Sequence, residues 1–286
     1  MTSQTSQEYD PDSVEIRKAA TVMMVDDRPD LQIFMMERNA NILFGGGMWV
    51  FPGGRVDDAD NLDEYNEVSF HLSDAEASNH MDLSAGGLTY YVAAVREVFE
   101  EAGILLAIDK DTHQPVDFSD PSEASRFSRL RDDINDSNKN FIDLLQEENL
   151  LLDTGAMHYI ARWITPVGPP RRYDTRFFIT RIPASQTPVH DDNELVHSEW
   201  MTPASILQQV EAGAMTMMTP TLRMIKNLAM FSSAQEAIRA AAQGLPTERA
   251  RVNQAGVIIM PGEPDYDVAD ETIENGWVRF RPLPVS

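Results

Sequence analysis

Residues 96–104 read Arg-Glu-Val-Phe-Glu-Glu-Ala-Gly-Ile, and this run decides the fold. On a helix turning by about 100° per residue, Glu97, Glu100 and Glu101 fall on one narrow face. Tyr91, Val95, Val98, Phe99 and Ala102 fall on the opposite face, which predicts a helix over Thr89–Ala102 with that stripe in a core. Carboxylates spaced i, i+3 and i+4 repel one another by about a few tenths of a kcal/mol per pair. A divalent cation turns that repulsion into coordination, because hard oxygen donors suit Mg²⁺ or Mn²⁺. Gly103 supplies the residue that can take left-handed backbone and end the helix. A solvated acidic face is the plainer account of a lone glutamate triple. The full string Arg-Glu-apolar-x-Glu-Glu-x-Gly-apolar, however, arises by chance in roughly one chain in 10⁵ of this length.

Upstream, Trp49-Val50-Phe51-Pro52-Gly53-Gly54 reads as a strand running into a tight glycine turn. Together the two stretches resemble the halves of the Nudix box, the signature of hydrolases that cleave a diphosphate linked to another moiety. In that pattern an acid follows the glycine turn, and here it falls on Asp60. The spacing departs from the common box: 35 residues, 61–95, separate Asp60 from Arg96 where the family has seven, so the role of Asp60 stays open. A box interrupted in this way resembles the branch that includes the mammalian peroxisomal coenzyme A diphosphatase. Three later stretches are similar to that branch: Trp163-Ile164-Thr165-Pro166, Arg171 to Phe178, and Glu199-Trp200-Met201-Thr202-Pro203. The resemblance covers roughly residues 15–235.

Composition narrows the alternatives. The chain has 286 residues, 42% of them hydrophobic, enough for a packed core. No run approaches the roughly 18 apolar residues of a membrane span, and Met1–Ser13 is polar and acidic, expected to be a disordered tail without a secretory signal. With no cysteine there is no disulfide framework and no thiolate metal site, which fits a cytoplasmic protein. The terminal Pro-Val-Ser is not a peroxisomal address. Forty-six acids against 23 bases give a net charge of −23, which repels nucleic-acid backbones and argues against a DNA or RNA partner. The six histidines show no zinc-site spacing. The charge deficit reverses locally: Arg162, Arg171, Arg172, Arg176 and Arg181 stand within 20 residues against the single acid Asp174. Arginine binds phosphate in a bidentate manner, so Arg171, Arg172 and Arg176 are candidate substrate contacts, with ordinary strand-edge alternation as the bland account.

Along the chain, Glu15–Val25 and Leu31–Glu37 are β-rich around a short loop at 26–30, and Met48–Phe51 is a strand after the Gly45–Gly47 connector. Residues 55–88 form an acidic insert with helices expected around 62–70 and 73–82, its acids mostly solvated. Residues 107–150 read as helical decoration, with Pro121 opening one helix and Phe141–Leu151 amphipathic. His158–Thr165 and Arg176–Ile182 read as strands, with the Gly168-Pro169-Pro170 turn between them and Tyr173-Asp174-Thr175 where the loop returns to the sheet. Helices are expected over Pro203–Ala212, Pro220–Phe231 and Ser233–Ala242, followed by a terminal strand pair at Val257–Met260 and Trp277–Phe280.

The resemblance implies an α/β protein: an α/β/α sandwich with a mixed sheet, the box helix on one face, an insert at 55–88, and a helical extension over 204–286, all within one domain from residue 14. It also implies a divalent cation, Mg²⁺ or Mn²⁺, held by Glu97, Glu100 and Glu101. Arg96 is then an orienter of a motif carboxylate such as Glu100, and Glu101 is the first choice of general base, with Glu194 in the acidic 191–194 loop the second. Gly53 and Gly54 can turn their N–H groups toward phosphate oxygens. The implied substrate is a small nucleoside diphosphate derivative, coenzyme A or an acyl-CoA, giving 3′,5′-ADP and 4′-phosphopantetheine. ADP-ribose or a dinucleotide is the alternative for the same chemistry. A binding module that has lost turnover is the alternative in kind; its mark would be erosion of the helix carboxylates, and all three are present. Relatives commonly dimerise, so a homodimer is the assembly the resemblance allows, with no membrane partner.

Overall fold

The run from Ala19 to Val25 is apolar at nearly every position, as in a strand covered on both faces rather than one. The computed structural model, which describes residues 10–42, 45–191, 195–260, 263–269 and 276–283, places it in β1 (Ile16–Asp27). A hairpin leads to β2 (Leu31–Arg38), then to the short β3 (Trp49–Val50) and β4 (Gly53–Arg55). The insert holds two 3-10 turns, Asp58–Asp60 and Asp63–Asn66, and α1 (Asp74–His80) before the long α2 (Gly87–Ala102). Next come β5 (Ala107–Asp109), α3 (Pro121–Asn135), α4 (Phe141–Glu147), β6 (Leu150–Leu152), β7 (His158–Ile164), β8 (Arg172–Arg181) and β9 (Leu195–Met201). The chain continues through α5 (Pro203–Glu211), α6 (Thr219–Leu228), α7 (Ala234–Ala242), β10 (Glu248–Arg249), β11 (Arg251–Val252), β12 (Ile258–Ile259) and β13 (Gly276–Val278).

Nine of these strands form one mixed sheet. Its path runs β10-β13-β7-β8-β1-β2-β3, with β4 added on β1 and β9 on β2. Only β1 and β8 pair in parallel; the other ladders are antiparallel. Alternate residues of β1 serve two cores. Ala20, Val22 and Met24 pack with Tyr91, Val95, Val98 and Phe99 of α2, while Met23 and Val25 pack with Ile206, Met224, Ile225, Leu228 and Ala237 of α5–α7. The result is the three-layer α/β/α sandwich. Helix starts follow local chemistry: Pro121 and Pro203 occupy first-turn positions behind Asp120 and Thr202, whose side chains accept from backbone N–H groups.

Several elements depart from the expectations. Strand β8 begins at Arg172, so Tyr173, Asp174 and Thr175 are in the sheet; the register Ile16↔Arg172 through Val25↔Arg181 extends the strand back to the start of β1. The helix expected over 62–70 is a single 3-10 turn, because the backbone of Val68 and Phe70 bonds to Leu152 instead. The amphipathic helix from Phe141 stops at Glu147, and Leu150–Leu152 pairs with β5. The two terminal stretches do not pair with each other. Ile258–Ile259 joins β11, whereas Trp277 lies between β7 and β10. Gly45–Gly47 is a turn between β2 and β3, with Gly47 N–H donating to the Arg38 carbonyl. Of the tail expected over 1–13, residues 1–9 lie outside the described residues, and Pro11–Ser13 forms a 3-10 turn. No helix among the described residues is long and apolar enough to cross a membrane.

Candidate active site

The register of β4 on β1, Thr21↔Gly53 and Ala20↔Gly54, carries the glycine turn against the acidic face of α2. Both glycines are dictated by space. Gly53 has φ +150°, and a Cβ there would lie 2.3 Å from the Ala20 carbonyl oxygen. A Cβ on Gly54 would lie 2.5 Å from each carboxylate oxygen of Glu97. The Gly53 N–H donates to Glu101 Oε2 at 2.7 Å, so two of the three helix carboxylates sit directly on the turn.

Arg96 organises the rest. Its Nε and Nη2 donate to the two oxygens of Asp60 at 2.8 and 3.0 Å, its Nη1 to Glu97 at 3.0 Å and Glu100 at 2.9 Å, and its Nη2 also to the Arg55 carbonyl at 2.9 Å. The guanidinium is thus a hub beneath the carboxylates, its side chain 9% exposed and that of Asp60 1%. The insert brings Asp60 there by a local device: Asp57 N–H donates to Asp60 Oδ2 at 2.8 Å, and Thr89 at the start of α2 donates to Asn61 at 2.7 Å.

The other end of α2 is capped by distant parts of the chain. Gly103, at φ +67°, ends the helix. The Glu100 carbonyl accepts from Arg131 Nε at 2.8 Å, that of Ala102 from Val189 N–H at 2.9 Å, and that of Glu101 from Asp191 N–H at 3.1 Å. Cationic Arg131 also suits the negative end of the helix dipole.

The carboxylate face opens into a cavity of about 410 Å³. Asp57, Asp60 and Tyr65 of the insert line one part, Arg96, Glu97, Glu100 and Glu101 of α2 another, and Asn135, Ser137, Lys139, Asn140 and Phe141 with Asp191 complete it. Its wall carries six carboxylates against two cations, Arg96 and Lys139. Burial pushes Glu97 up to about 7, Arg96 only partly offsetting it, and lifts Glu100 above the usual carboxylate range. Burial, reinforced by the charge of Glu97, drives Glu101 well above that range. As they stand, these oxygens turn toward Arg96 and Gly53 rather than to a common point, and no group of three or more acidic or histidine side chains among the described residues is poised around an ion. The donor chemistry nonetheless fits a divalent cation: hard oxygens, desolvated, with more negative charge than one guanidinium balances.

The remaining candidates lie elsewhere. Glu194 is outside the described residues. Arg171, Arg172 and Arg176 do not line the cavity. Arg176 is 1% exposed in β8, bonded to Asp174 at 2.6 Å and stacked over Tyr90; Arg172 donates to the Thr165 carbonyl; Arg171 is exposed. Asp174 is shared with Arg162, which grips it through two bonds of 2.9 Å. Asp57, expected as a solvated insert acid, lines the wall, as do Tyr65, Asn135, Lys139 and Asp191, which no motif singled out. Tyr65 carried a signal, an aromatic within an acidic stretch; Asn135 and Lys139 carried none, because a helix-to-helix turn gives no hint of what it faces.

Against known proteins, the model of the NUDT19 Nudix domain matches residues 67–228, more than half of the chain. A frog protein (Xenopus laevis) named acyl-coenzyme A diphosphatase NUDT19 is 24% identical over 236 residues, 72% of this chain and 62% of its own length. The human protein of that name is 26% identical over 232 residues, covering 71% and 61%. The chain thus spans less than two thirds of these relatives. The crystal structure of a NUDIX hydrolase from Alicyclobacillus acidocaldarius superposes with a TM-score of 0.63 at 25% identity, covering 79% of this chain and 97% of that one. Fold, glycine turn and helix motif agree with that match, and the chain belongs to the NUDT19 Nudix domain family.

Proposed function

We propose that this protein is a metal-dependent hydrolase that cleaves the diphosphate bond of coenzyme A or an acyl-CoA, yielding 3′,5′-ADP and the (acyl-)4′-phosphopantetheine. The observation that carries the reading is the seating of Glu97 and Glu101 on the Gly53–Gly54 turn, with Glu100 and both neighbours facing one cavity. The substrate class follows the names of the frog and human relatives.

A wall with six carboxylates and two cations repels a diphosphate unless cations accompany it. Glu97, Glu100 and Glu101 would hold Mg²⁺ or Mn²⁺ there. The ion, when bound, supplies charge neutralisation at the non-bridging oxygens and acidifies an attacking water. Arg96 positions the Glu97 and Glu100 carboxylates and is itself fixed by Asp60. Glu101, which accepts from the Gly53 N–H, would accept the proton of water as it attacks phosphorus.

The test is incubation of the purified protein with Mg²⁺ and a panel of coenzyme A, acyl-CoAs, ADP-ribose and dinucleotides, with products identified by mass. Coenzyme A derivatives are expected to turn over fastest, and Glu101→Gln to lower kcat by about 10³-fold. Preference for ADP-ribose would move the substrate assignment. Negligible turnover throughout would end the enzyme reading.

A further inference from the structure

We propose that Lys139, on the turn joining α3 to α4, receives the substrate's diphosphate in the carboxylate cavity. The inference rests on the diphosphatase reading and adds a substrate-binding residue outside the box. Of the two cations on the wall, Arg96 has all five of its N–H donors committed, to Asp60, Glu97, Glu100 and the Arg55 carbonyl. It can therefore meet an incoming anion only by releasing the carboxylates it positions. Lys139 carries three donors on one flexible ammonium and pairs with Glu147. The Glu147 side chain is 63% exposed, so water competes for that pair and a phosphate oxygen can replace it at small cost.

The lysine is also held in a fixed place relative to the carboxylates. Arg131 of α3 donates to the Glu100 carbonyl, which ties α3 to the end of α2. The turn that follows is closed by Ser137 N–H to Ile134 O, and by the N–H groups of Asn138 and Lys139 to Asp133 O at 2.8 and 3.2 Å. Phe141, the first residue of α4, packs its ring 6.3 Å from that of Phe99 on α2. Such a support fixes the Lys139 backbone beside the Glu100 end of α2, so the ammonium reaches a bounded part of the cavity when it leaves Glu147. The two cations then divide the work. Arg96 organises ligands, and Lys139 meets the substrate.

Steady-state kinetics of Lys139→Met, Lys139→Arg and Glu147→Gln at saturating Mg²⁺, on both coenzyme A and ADP-ribose, test this. Lys139→Met is expected to raise KM by about tenfold on both substrates with kcat within about twofold of wild type, and Lys139→Arg to recover most of the loss. Glu147→Gln breaks the same ion pair but keeps the lysine, and is expected to leave KM unchanged or lower. A KM for Lys139→Met within twofold of wild type, or a rise on only one of the substrates, overturns the diphosphate contact. An equal rise in Glu147→Gln shows the pair to be structural and overturns it too. If wild type hydrolyses neither compound, the diphosphatase reading itself has failed and this proposal falls with it. Should Lys139→Met fold poorly, Lys139→Gln gives the same comparison.

Discussion

The guanidinium of Arg96 holds the carboxylate of Asp60 through two hydrogen bonds, 2.8 and 3.0 Å, across 36 residues of sequence. The insert between the box halves therefore leaves the glycine turn, sets its acid under the motif arginine, and then leads into α2. Asp60 is almost fully buried, so removing it leaves a desolvated cation without its main partner. Asp60→Ala is expected to lower stability by about 3 kcal/mol in denaturant unfolding and to lower kcat, because Arg96 then shifts against Glu97 and Glu100. Asp60→Asn, which keeps an acceptor, should lose less of both. A fully stable, fully active Asp60→Ala would show that Arg96 does not need this partner.

The two turn glycines should separate folding from catalysis. An alanine at Gly53 collides with the backbone of Ala20 and Thr21, which cannot yield without breaking the β1–β4 ladder. An alanine at Gly54 collides with the Glu97 carboxylate, a side-chain end that can swing away. Gly53→Ala is expected to lose soluble, folded protein. Gly54→Ala is expected to melt near wild type while kcat falls by about 100-fold, since a displaced ligand removes transition-state stabilisation. Circular dichroism melts beside initial rates decide the matter. Equal losses of stability in the two variants would deny the distinction.

Much of this was legible in the sequence because it was local. The helix, its buried stripe, the glycine turn and the strands β1, β2 and β7 follow from periodicity and turn chemistry within a dozen residues. What was not legible depends on partners far away. Strand β8 starts four residues before the expected Arg176 because β1 offers a parallel edge, and β6 takes residues from an amphipathic pattern because β5 pairs with them. At the site, the motif announced Glu97, Glu100, Glu101 and Arg96. Asp60 needed the fold to bring it home, and the wall from Asn135 to Phe141 is visible only once α3 is docked on the Glu100 carbonyl.

Arg176 illustrates the same limit from the other side. A local surplus of arginine suggested phosphate contacts, yet Arg176 is buried in β8 between Asp174 and Tyr90. Its loss would leave Asp174 to Arg162 alone and open a space under α2. Arg176→Met is therefore expected to lower the melting temperature by several degrees while KM for coenzyme A stays within about twofold of wild type. A large rise in KM with unchanged stability would restore Arg176 to the substrate contacts.

The buried carboxylates make the stability of the metal-free protein depend on pH in a direction that can be worked out. Burial lifts the Glu97 carboxyl to about 7, and drives Glu101 well above the usual carboxylate range. The folded state thus holds these protons more tightly than the unfolded chain, whose glutamates titrate near the ordinary 4.5. The Glu97 contribution is present in full below that value and is lost as pH rises through about 7, because the folded state must then carry desolvated charge. Other acids run their own course with pH, so the telling quantity is the difference between wild type and Glu97→Gln, which cannot ionise at that position. In EDTA, Glu97→Gln is expected to melt close to wild type at pH 5 and above it at pH 8. Added Mg²⁺ should raise the melting temperature of wild type more at pH 8 than at pH 5, and do much less for Glu97→Gln, since binding to the folded state alone stabilises by mass action. Differential scanning fluorimetry at the two pH values reads all of these shifts. A gap between the two proteins that is the same at both, or a Mg²⁺ response untouched by the substitution, would remove Glu97 from the cation-binding set.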